Sequence, residues 1–579
     1  MYFRIRKIYD DFLPVNKRAI EQIMEITRRQ IADMTEEAIT NIRELFRNPY
    51  YKRMRYMFII ADDGRGDVKG FAQMSYAPDL KFCFLDLMAM KMQKIGGGLG
   101  GALYERVRDE AIHMKALGIF IECMTDSGRV YRDMKVRRQN KARLRFYEQY
   151  GARPIVNTLY ETHSRAHYDN PYFLLFDDLD TKKELDLETA RKIVKAILER
   201  KYFPVCTRKD VRTVLQSMKD DPVRIREPRY VKTETLHPAK AVPEDRKISL
   251  IWNDIHEIHH IRDRGYVESP VRIRNIRREL DKTLLFTRVK PRRYPESLIR
   301  DVHDADFVDF FKRVSMDMEP GRSLYPDVFP IRKNARPPKK LVYRAGYYCT
   351  DIYSPINRNS YLAARSAVDC ALTGADRIID GARLAYALVR PPGHHAERGS
   401  FGGFCYFNSA AIAAQRFSRY GKVAILDVDY HHGNGQQDIF YGRQGVLTVS
   451  IHADPDFEYP HFSGFEEENG KGAGEGFNIN YPLPENTAGQ LYHRTLRKAL
   501  RDIRKFDPDF LVLALGFDTA RGDPTGTWKL QKGDFHENGR LIGALGLPTL
   551  VVQEGGYNNR MIGVNARNFF TGLWEGMYW

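Results

Sequence analysis

The sequence lacks any apolar run long enough to cross a membrane, so no membrane partner is expected. It also lacks the pattern of a secretion signal, because its first residues, MYFRIRKIYDDF, carry charge where a signal peptide needs an apolar core. Cysteine is scarce: six residues are scattered along 579 positions without paired spacing. A disulfide framework is therefore excluded, and we predict a cytoplasmic protein with free thiols.

Signatures of nucleic-acid binding are also missing, although the formal net charge is +17. The sequence contains no zinc-finger spacing, no RNA-binding signature and no low-complexity basic tail. The basic excess lies mainly in residues 181–340, in clusters such as Arg272, Arg274, Arg277 and Arg278. Such clusters can bind anionic surfaces, but solvated helix faces and a linker explain them better, so nucleic acid is not the expected partner.

The length exceeds what one hydrophobic core usually covers, and the pattern indicates three segments. Residues 1–180 combine predicted helices and strands with a glycine-rich turn. Residues 181–246 contain two amphipathic stretches and then a Pro- and charge-rich stretch, which predicts a helical connector and linker. Residues 247–579 predict a second domain.

The glycine-rich turn, QKIGGGLGG at 93–101, stands between a predicted strand and a predicted amphipathic helix. Bare backbone N–H groups at such a turn can approach a pyrophosphate, although a tight structural turn would contain the same glycines. This turn and the segment NKARLRFYEQYGARP at 140–154 together resemble the two signature segments of the Gcn5-related N-acetyltransferase (GNAT) family. The resemblance implies a mixed α/β domain over 1–180 whose acetyl-CoA-binding residues would be Gln93, Gly96, Gly98, Gly100 and Gly101.

The same resemblance makes Tyr147 a candidate general acid for the leaving thiolate, with a packed helix aromatic as the alternative. The family usually has Arg or Gln three residues before Gly-x-Gly. One alignment of the turn puts Ile95 at this position, whereas the other puts Gln93 there. No general base is identified, and Glu122 and Asp86 on predicted strands are candidates only.

The stretch KVAILDVDYHHGNGQ at 422–436 has the composition of a metal site. Its apolar run predicts a strand buried on both faces, and a Gly-Asn-Gly turn follows the carboxyl end. Asp427, Asp429 and His431 recur at a spacing of two, so an extended chain would point all three the same way. Carboxylate and imidazole suit zinc; an N-capping aspartate beside structural histidines is the alternative.

Three further predicted strands carry polar groups directly after their carboxyl ends. RPPGHH ends in His394 and His395, LALGFD ends in Asp518, and EGGY ends in Tyr557. A doubly wound parallel sheet collects a site in this way from distant parts of the chain, so we predict one site at this edge of the sheet.

In this order, RPPGHH, GGFCYFN, DVDYHHGNG, VSIHAD, LGFD…GDP and EGGY resemble the arginase–deacetylase fold of the histone deacetylase and acetylpolyamine amidohydrolase family, from about residue 248 to 579. The resemblance implies zinc ligands at Asp429, His431 and Asp518. It further implies the following roles: His395 as general base and then acid, His394 as a tuner of local charge, Asp427 as its orienting partner, and Tyr557 as hydrogen-bond donor to the substrate carbonyl.

Other positions follow from the same resemblance. Asn434 stands behind the second histidine where part of the family has Asp, as in the class II deacetylases, so that histidine should be less basic. The tunnel walls would be Gly403, Phe404 and Tyr459, and Asp427 with Ser450 and the backbone of Ile451 would hold a structural K⁺.

Together these patterns predict a bifunctional chain, in which a zinc-dependent amidohydrolase is fused to an acetyl-CoA-dependent N-acetyltransferase. The alternative is a protein lysine deacetylase whose GNAT-like domain is a non-catalytic acetyl-CoA sensor. Acidic residues around Tyr459 favour acetylpolyamines over protein acetyl-lysine. However, Thr525 stands where the polyamine-specific animal deacetylase has a gatekeeping glutamate, so narrow specificity is not predicted. A homo-oligomer is compatible with the sequence.

Overall fold

The computed structural model describes residues 3–31, 34–63, 66–91, 99–126, 133–160, 172–181, 183–202, 205–231, 242–261, 266–328 and 336–579. The chain divides into two compact units, Tyr2–Thr235 and Leu236–Trp579. The first unit therefore reaches further than the predicted limit at residue 180. Among the described helices, none combines the length and apolarity that a membrane span requires.

The first unit is built on a mixed sheet with the order β1-β3-β4-β5-β6-β8-β7, and β2 pairs with β3. Its strands are β1 (Phe3–Ile8), β2 (Tyr50–Tyr51), β3 (Met54–Asp63), β4 (Val68–Ala77), β5 (Phe82–Met90), β6 (Ile119–Met124), β7 (Arg153–Pro154) and β8 (Tyr172–Asp177). Only β5 and β6 are parallel neighbours among these strands. They pair from Cys83 with Ile119 to Leu85 with Ile121, and both strands continue beyond that pairing.

Helices cover both faces of this sheet. They are α1 (Pro14–Gln30), α2 (Glu36–Arg47), α3 (Leu99–His113), α4 (Met134–Glu148), α5 (Leu187–Tyr202) and α6 (Arg208–Ser217). Helices α3 and α4 share one core cluster with strand residues such as Leu85 and Ile121. Helices α5 and α6, predicted as a connector, bury Ile193, Ile197 and Val214 in a cluster with sheet phenylalanines, so they are part of the first unit.

The second unit contains a parallel sheet, as predicted, and the order of its strands is β10-β9-β13-β18-β17-β14-β15-β16. The strands are β9 (Ile248–Ile251), β10 (Phe286–Val289), β13 (Leu384–Ala387), β14 (Val423–Asp427), β15 (Val446–Ala453), β16 (Asn478–Leu483), β17 (Phe510–Leu515) and β18 (Thr549–Gln553). A separate ribbon pairs β11 (Ser323–Leu324) with β12 (Ile356–Asn357). The central strands are buried along their length, which explains their continuous apolar runs.

Helices also lie on both faces of the second sheet, with one core cluster on each side. They are α7 (Val271–Leu280), α8 (Ser297–Arg300), α9 (Ala305–Asp317), α10 (Leu341–Tyr347), α11 (Ser360–Ile379), α12 (Ser409–Phe417), α13 (Asn434–Phe440), α14 (Gly489–Phe506), α15 (Lys532–Gly543) and α16 (Ile562–Tyr578). Short 3₁₀ turns occur at Glu244–Arg246, His256–Ile258 and Gly472–Gly474. Because β13, β18, β17 and β14 are neighbours, the segments that follow their carboxyl ends meet at one place.

Candidate active site

The predicted metal ligands come together at the carboxyl edge of the second sheet. Asp429 and His431 follow β14, and Asp518 follows β17, which is the neighbour of β14. One ligand atom from each lies within 4.8 Å of the other two. The Nδ1 of His431 is 3.3 Å from Asp429 Oδ1 and 3.3 Å from Asp518 Oδ2.

These residues fit a zinc ion. Asp518 Oδ2 is buried and accepts no hydrogen bond. A Cβ at Gly555 would lie 2.3 Å from this oxygen, so the absent side chain leaves room for the carboxylate. Burial and the neighbouring Asp429 carboxylate raise the pKa of Asp518. A cation is what would keep two buried carboxylates ionised at this distance, and one nitrogen with two oxygens is a donor set that zinc accepts.

Backbone groups hold the ligand carboxylates from behind. Gly555 N donates to Asp429 Oδ2 at 2.7 Å, and Tyr430 N donates to Asp518 Oδ1 at 2.9 Å. His431 N donates to Asp429 Oδ1 at 3.0 Å. The ligands are therefore oriented by the chain itself before any metal binds.

The two tandem histidines, both 3% exposed, differ in their partners and in their protonation. His394 Nδ1 is 3.0 Å from Asp427 Oδ2, whereas His395 Nδ1 is 2.7 Å from Asn434 Oδ1. Although burial favours the neutral ring, the Asp429 and Asp427 carboxylates raise the pKa of His394 to about 10. Burial and the positive charge of His394 hold the pKa of His395 well below its usual range. One ring is therefore charged and its neighbour is neutral.

Tyr557 follows β18 and is held on three sides. Asp523 Oδ2 accepts hydrogen bonds from Tyr557 N at 2.7 Å and from Asn558 N at 2.8 Å. The Arg272 guanidinium carbon lies 4.7 Å from the centre of the Tyr557 ring. The Phe404 ring stands edge-on to Tyr557 at 5.7 Å between centroids. The phenol is thus fixed beside the metal ligands.

Two of the three predicted tunnel walls, Tyr459 and Gly403, lie against the second histidine. The Tyr459 ring is perpendicular to that of His395 at 4.8 Å, and its hydroxyl donates to Asp351 Oδ2 at 3.0 Å. The same carboxylate accepts the N–H of Gly403. Gly403 has φ +55°, and a Cβ there would lie 2.1 Å from His395 Cδ2, so this wall approaches the histidine as closely as glycine allows.

Sequence reasoning missed a buried charge network beneath Tyr557. Glu268 pairs with Arg390 through two 2.7 Å hydrogen bonds and with Arg272 through one of 3.1 Å, and all three side chains are fully buried. Although burial favours the protonated acid, the two guanidiniums lower the pKa of Glu268 to about 2. Arg272 belongs to the basic cluster that we assigned to a solvated face, and for this residue the assignment is wrong.

Sequence signals existed for part of what was missed. Arg390 begins the RPPGHH motif, Asp523 lies in the GDP of the LGFD…GDP motif, and Glu397 follows His395 by two residues. The segment from Tyr347 to Leu372, which contains Asp351, resembles the bacterial acetylpolyamine amidohydrolases, but the contacts of Asp351 could not be predicted from it. Its role depends on Gly403 and Tyr459, which lie more than fifty residues away in sequence.

In the first unit, Gln93, Gly96 and Gly98 lie outside the described residues, whereas Gly100 and Gly101 belong to the first turn of α3. Tyr147 on α4 is 8% exposed, its ring lies edge-on to Tyr104 at 5.2 Å, and burial raises the pKa of its phenol. This environment matches the packed-aromatic alternative.

The two candidate bases of the first unit already have partners. Glu122 accepts hydrogen bonds from the hydroxyls of Tyr160, at 2.6 Å, and Tyr202. Asp86 accepts one from Ser75 Oγ at 2.7 Å and pairs with Lys201. Neither carboxylate therefore stands out as a free base.

A parallel α/β sheet that presents two carboxylates, an imidazole, a neutral histidine and a tyrosine at its carboxyl edge defines a metal-dependent hydrolase. Residues 266–573 match the family model described as the histone deacetylase domain. The chain therefore belongs to the histone deacetylase family, which confirms the resemblance predicted for its second domain. Members of this family that act as amidohydrolases depend on zinc, in agreement with the donor set.

Several similar proteins are named acetylpolyamine amidohydrolases or aminohydrolases. Acetylpolyamine amidohydrolase 2 of Pseudomonas aeruginosa is 41% identical over 341 residues, which cover 57% of this chain and 99% of that protein. Acetylpolyamine amidohydrolase 1 of the same organism is 45% identical over 286 residues, with 48% and 82% covered. The crystal structure of an acetylpolyamine aminohydrolase from Burkholderia pseudomallei covers 56% of this chain and 98% of its own, with 38% identity and a TM-score of 0.54.

Proposed function

We propose that the second unit hydrolyses the acetamide of small acetylated amines, acetylpolyamines first, to acetate and a free amine. The observation that carries this proposal is the pair of histidines beside the Asp429, His431 and Asp518 set, with His394 Nε2 3.7 Å from Asp429 Oδ1 and the ring centroids of His395 and His431 5.9 Å apart. Zinc held by these three residues would supply Lewis-acid polarisation of the amide carbonyl and of a water. The remaining steps belong to the protein's own groups.

His395 is the proton carrier in this proposal. With its Nδ1 directed to Asn434 Oδ1, its Nε2 is free to take a proton from the attacking water and later to return it to the departing amine. His394, held positive by Asp427 and Asp429, adds positive potential where negative charge develops. The Tyr557 hydroxyl donates to the carbonyl oxygen as it becomes negative, which contributes about 3 kcal/mol to the transition state.

The preference for polyamines is supported by charge at the rim and by the relatives named acetylpolyamine amidohydrolases. Asp456, Glu466 and Glu467 are exposed, lie within eight residues of Tyr459 in sequence and can attract further ammonium groups. Glu468 does not contribute, because it accepts hydrogen bonds from Gln437 Nε2 and Gly464 N. Protein acetyl-lysine is the competing substrate, since it presents the same acetamide on an apolar stem.

The test compares kcat/KM for acetylputrescine and acetylspermidine with that for acetyl-lysine peptides at low and high salt. A polyamine preference that weakens with salt and falls in a variant with Asp456→Asn, Glu466→Gln and Glu467→Gln is expected. Asp380→Asn is the matched control, because Asp380 is exposed near the amino end of β13, at the opposite edge of the sheet. A preference for the peptides at both salt concentrations would refute the assignment.

We also propose that the first unit binds acetyl-CoA and acetylates an amine. Support comes from the parallel β5 and β6, which pair with each other over three positions and then continue while paired only with β4 and β8, and α3 begins directly after the glycine-rich turn. Backbone N–H groups at a helix amino terminus suit a pyrophosphate. A non-catalytic acetyl-CoA sensor that governs the second unit is the alternative.

Calorimetry of the full chain with acetyl-CoA tests the cofactor, and acetylation of an amine panel separates enzyme from sensor. Gly98→Val with Gly100→Val should abolish binding, whereas His431→Ala should leave it intact. Tyr147→Phe should slow transfer if Tyr147 is the general acid, and an unchanged rate would favour packing. Unchanged affinity of the double glycine variant would remove the case for the turn.

Three further predictions are kept as proposals. Cytoplasmic location is supported by the six cysteines, all of which are buried thiols outside disulfides. A structural K⁺ beside Asp427 and Ser450 is supported by their register on neighbouring strands. A homo-oligomer is a proposal from the sequence alone, and light scattering would measure it.

A further inference from the structure

The Asn434 amide lies between the ring of His395 and the carboxylate of Glu397. Its Oδ1 is 2.7 Å from His395 Nδ1, and its Nδ2 donates to Glu397 Oε1 at 2.8 Å. The same Nδ2 is 3.4 Å from the His395 carbonyl oxygen. The amide is 2% exposed, so water has little access to either end.

An amide at this position has two orientations of almost the same shape and opposite chemistry. With Oδ1 toward the ring, His395 carries its proton on Nδ1 and its Nε2 can act as a base. With the NH₂ group toward the ring, Nδ1 must accept, the proton moves to Nε2, and the base is lost. Something outside the histidine has to select the first orientation.

We propose that Glu397 is a positioning residue of the deacetylase: by accepting the Asn434 N–H it selects the amide orientation that keeps His395 Nε2 unprotonated. This inference rests on the hydrolase function proposed above. A carboxylate is suited to the task because it offers acceptors and, when ionised, no donor. A proton on Oε2 would still leave Oε1 free to accept from Asn434.

Glu397 is itself held at both its side chain and its backbone. Ser400 Oγ donates to Oε2 at 2.7 Å, and the Glu397 carbonyl oxygen is 2.8 Å from His303 Nδ1. Because His303 Nε2 accepts from Asn408 N at 2.9 Å, the proton of this ring is on Nδ1, where it is donated to Glu397. Burial lowers the pKa of His303 to about 4, so the ring keeps this neutral form at neutral pH.

Because Glu397 acts through Asn434, the effect on activity of substituting one of these residues should depend on the identity of the other. Glu397→Met should lower kcat about 10- to 100-fold with little change in KM, because only the longer 3.4 Å contact with the His395 carbonyl oxygen then remains to select the amide orientation. Glu397→Gln is the matched control and should keep most of the activity, since its Oε1 can still accept from Asn434 while its Nε2 donates to Ser400. Asn434→Asp should impair the enzyme that retains Glu397, because two carboxylates would then face each other.

The same Asn434→Asp change should restore activity when combined with Glu397→Met or Glu397→Gln, because a carboxylate presents an acceptor to His395 in either orientation. The experiment measures kcat and KM of the zinc-loaded full chain for the five variants, with zinc content and thermal unfolding as controls. If Glu397→Met does not fold, Glu397→Gln replaces it: this change should also raise kcat in the Asn434→Asp variant although it does not raise kcat in the enzyme with Asn434.

Imidazole nitrogen NMR gives a readout that a purely structural role would not change. His395 should be the Nδ1–H tautomer in the unmodified enzyme and a mixture of tautomers in Glu397→Met. An unchanged kcat and tautomer in Glu397→Met would overturn the proposal. The proposal would also be overturned if Glu397→Met changed kcat by the same factor and in the same direction in the enzyme with Asn434 and in the Asn434→Asp variant.

Discussion

Arg272→Met tests whether the buried charge network beneath Tyr557 supports catalysis as well as stability. The guanidinium donates Nη1 to Glu268 Oε1 at 3.1 Å and Nε to the Gly556 carbonyl at 2.6 Å. Its Nη2 donates to the Glu554 carbonyl, and its carbon lies 4.7 Å from the Tyr557 ring centre. Methionine has similar length and no donor, so it removes these hydrogen bonds while keeping most of the volume.

The expected loss of unfolding free energy is about 3–5 kcal/mol, the usual cost of breaking one side of a buried ion pair. Adding roughly 1.5–3 kcal/mol for each of the three hydrogen bonds of Arg272 would give a larger loss. The loss should be smaller than this sum, because Glu268 keeps its two hydrogen bonds to Arg390 and is not left unpaired. We expect kcat to fall about 10-fold or more, because Arg272→Met releases the backbone carbonyls on either side of Gly555. Gly555 N donates to the metal ligand Asp429, and Tyr557 follows in the same segment, so both would lose their fixed positions.

Tryptophan fluorescence during denaturant unfolding is a suitable assay, because all four tryptophans lie in the second unit. Arg274→Met is the matched control on the same helix. Arg274 is 43% exposed and its pair with Glu257 spans 3.4 Å, so its loss should cost less than about 0.5 kcal/mol. Equal unfolding free energy and equal kcat for the two variants would refute the reasoning.

Three further predictions concern the metal, the tunnel and pH. The chain should bind about one zinc, and His431→Ala or Asp518→Ala should abolish zinc binding and deacetylation without changing acetyl-CoA affinity; activity after exhaustive chelation would contradict this. Gly403→Ala should lower kcat about 100-fold at unchanged zinc content, because the new Cβ would lie 2.1 Å from His395 Cδ2; a normal kcat would show that the wall can yield. His303 has a pKa of about 4 in the folded protein and about 6.5 in the unfolded chain, so the unfolded state binds the proton more tightly. The free energy of unfolding should therefore fall by up to about 3 kcal/mol as pH drops from about 6.5 to about 4. His303→Gln should flatten this slope when unfolding is measured against pH.

The part of the active site that could be predicted from sequence is the part set by local chain geometry. Asp429 and His431 are two residues apart beyond the end of a strand, and period-two alternation brings their side chains together whatever the rest of the fold does. The continuous apolar runs of β14, β17 and β18 also required burial on both faces, and hence a parallel sheet with helices on each side.

Partners that lie far apart in the chain could not be predicted in this way. Arg272 has the same charge as Arg274 two residues later, yet one is fully buried and the other half-exposed, because only Arg272 faces Glu268 and the carbonyls after β18. Residue type does not reveal whether a charge has such a partner. Likewise, Asn434 could be recognised as a departure from Asp, but Glu397 as its second partner depended on the turn after His395.

The carboxyl-terminal boundary of the first unit shows the same difference between what a local pattern predicts and what distant contacts determine. Apolar spacing in the sequence was enough to predict amphipathic helices at Leu187–Tyr202 and Arg208–Ser217, because that spacing identifies a buried face. What that face packs against depends on the tertiary fold. The same is true of Glu148, whose Oε1 accepts the backbone N–H groups of Arg229, Tyr230 and Val231 at 2.6–2.8 Å. A periodic pattern records that a surface is buried, whereas the identity of its partner depends on contacts that chain folding alone creates.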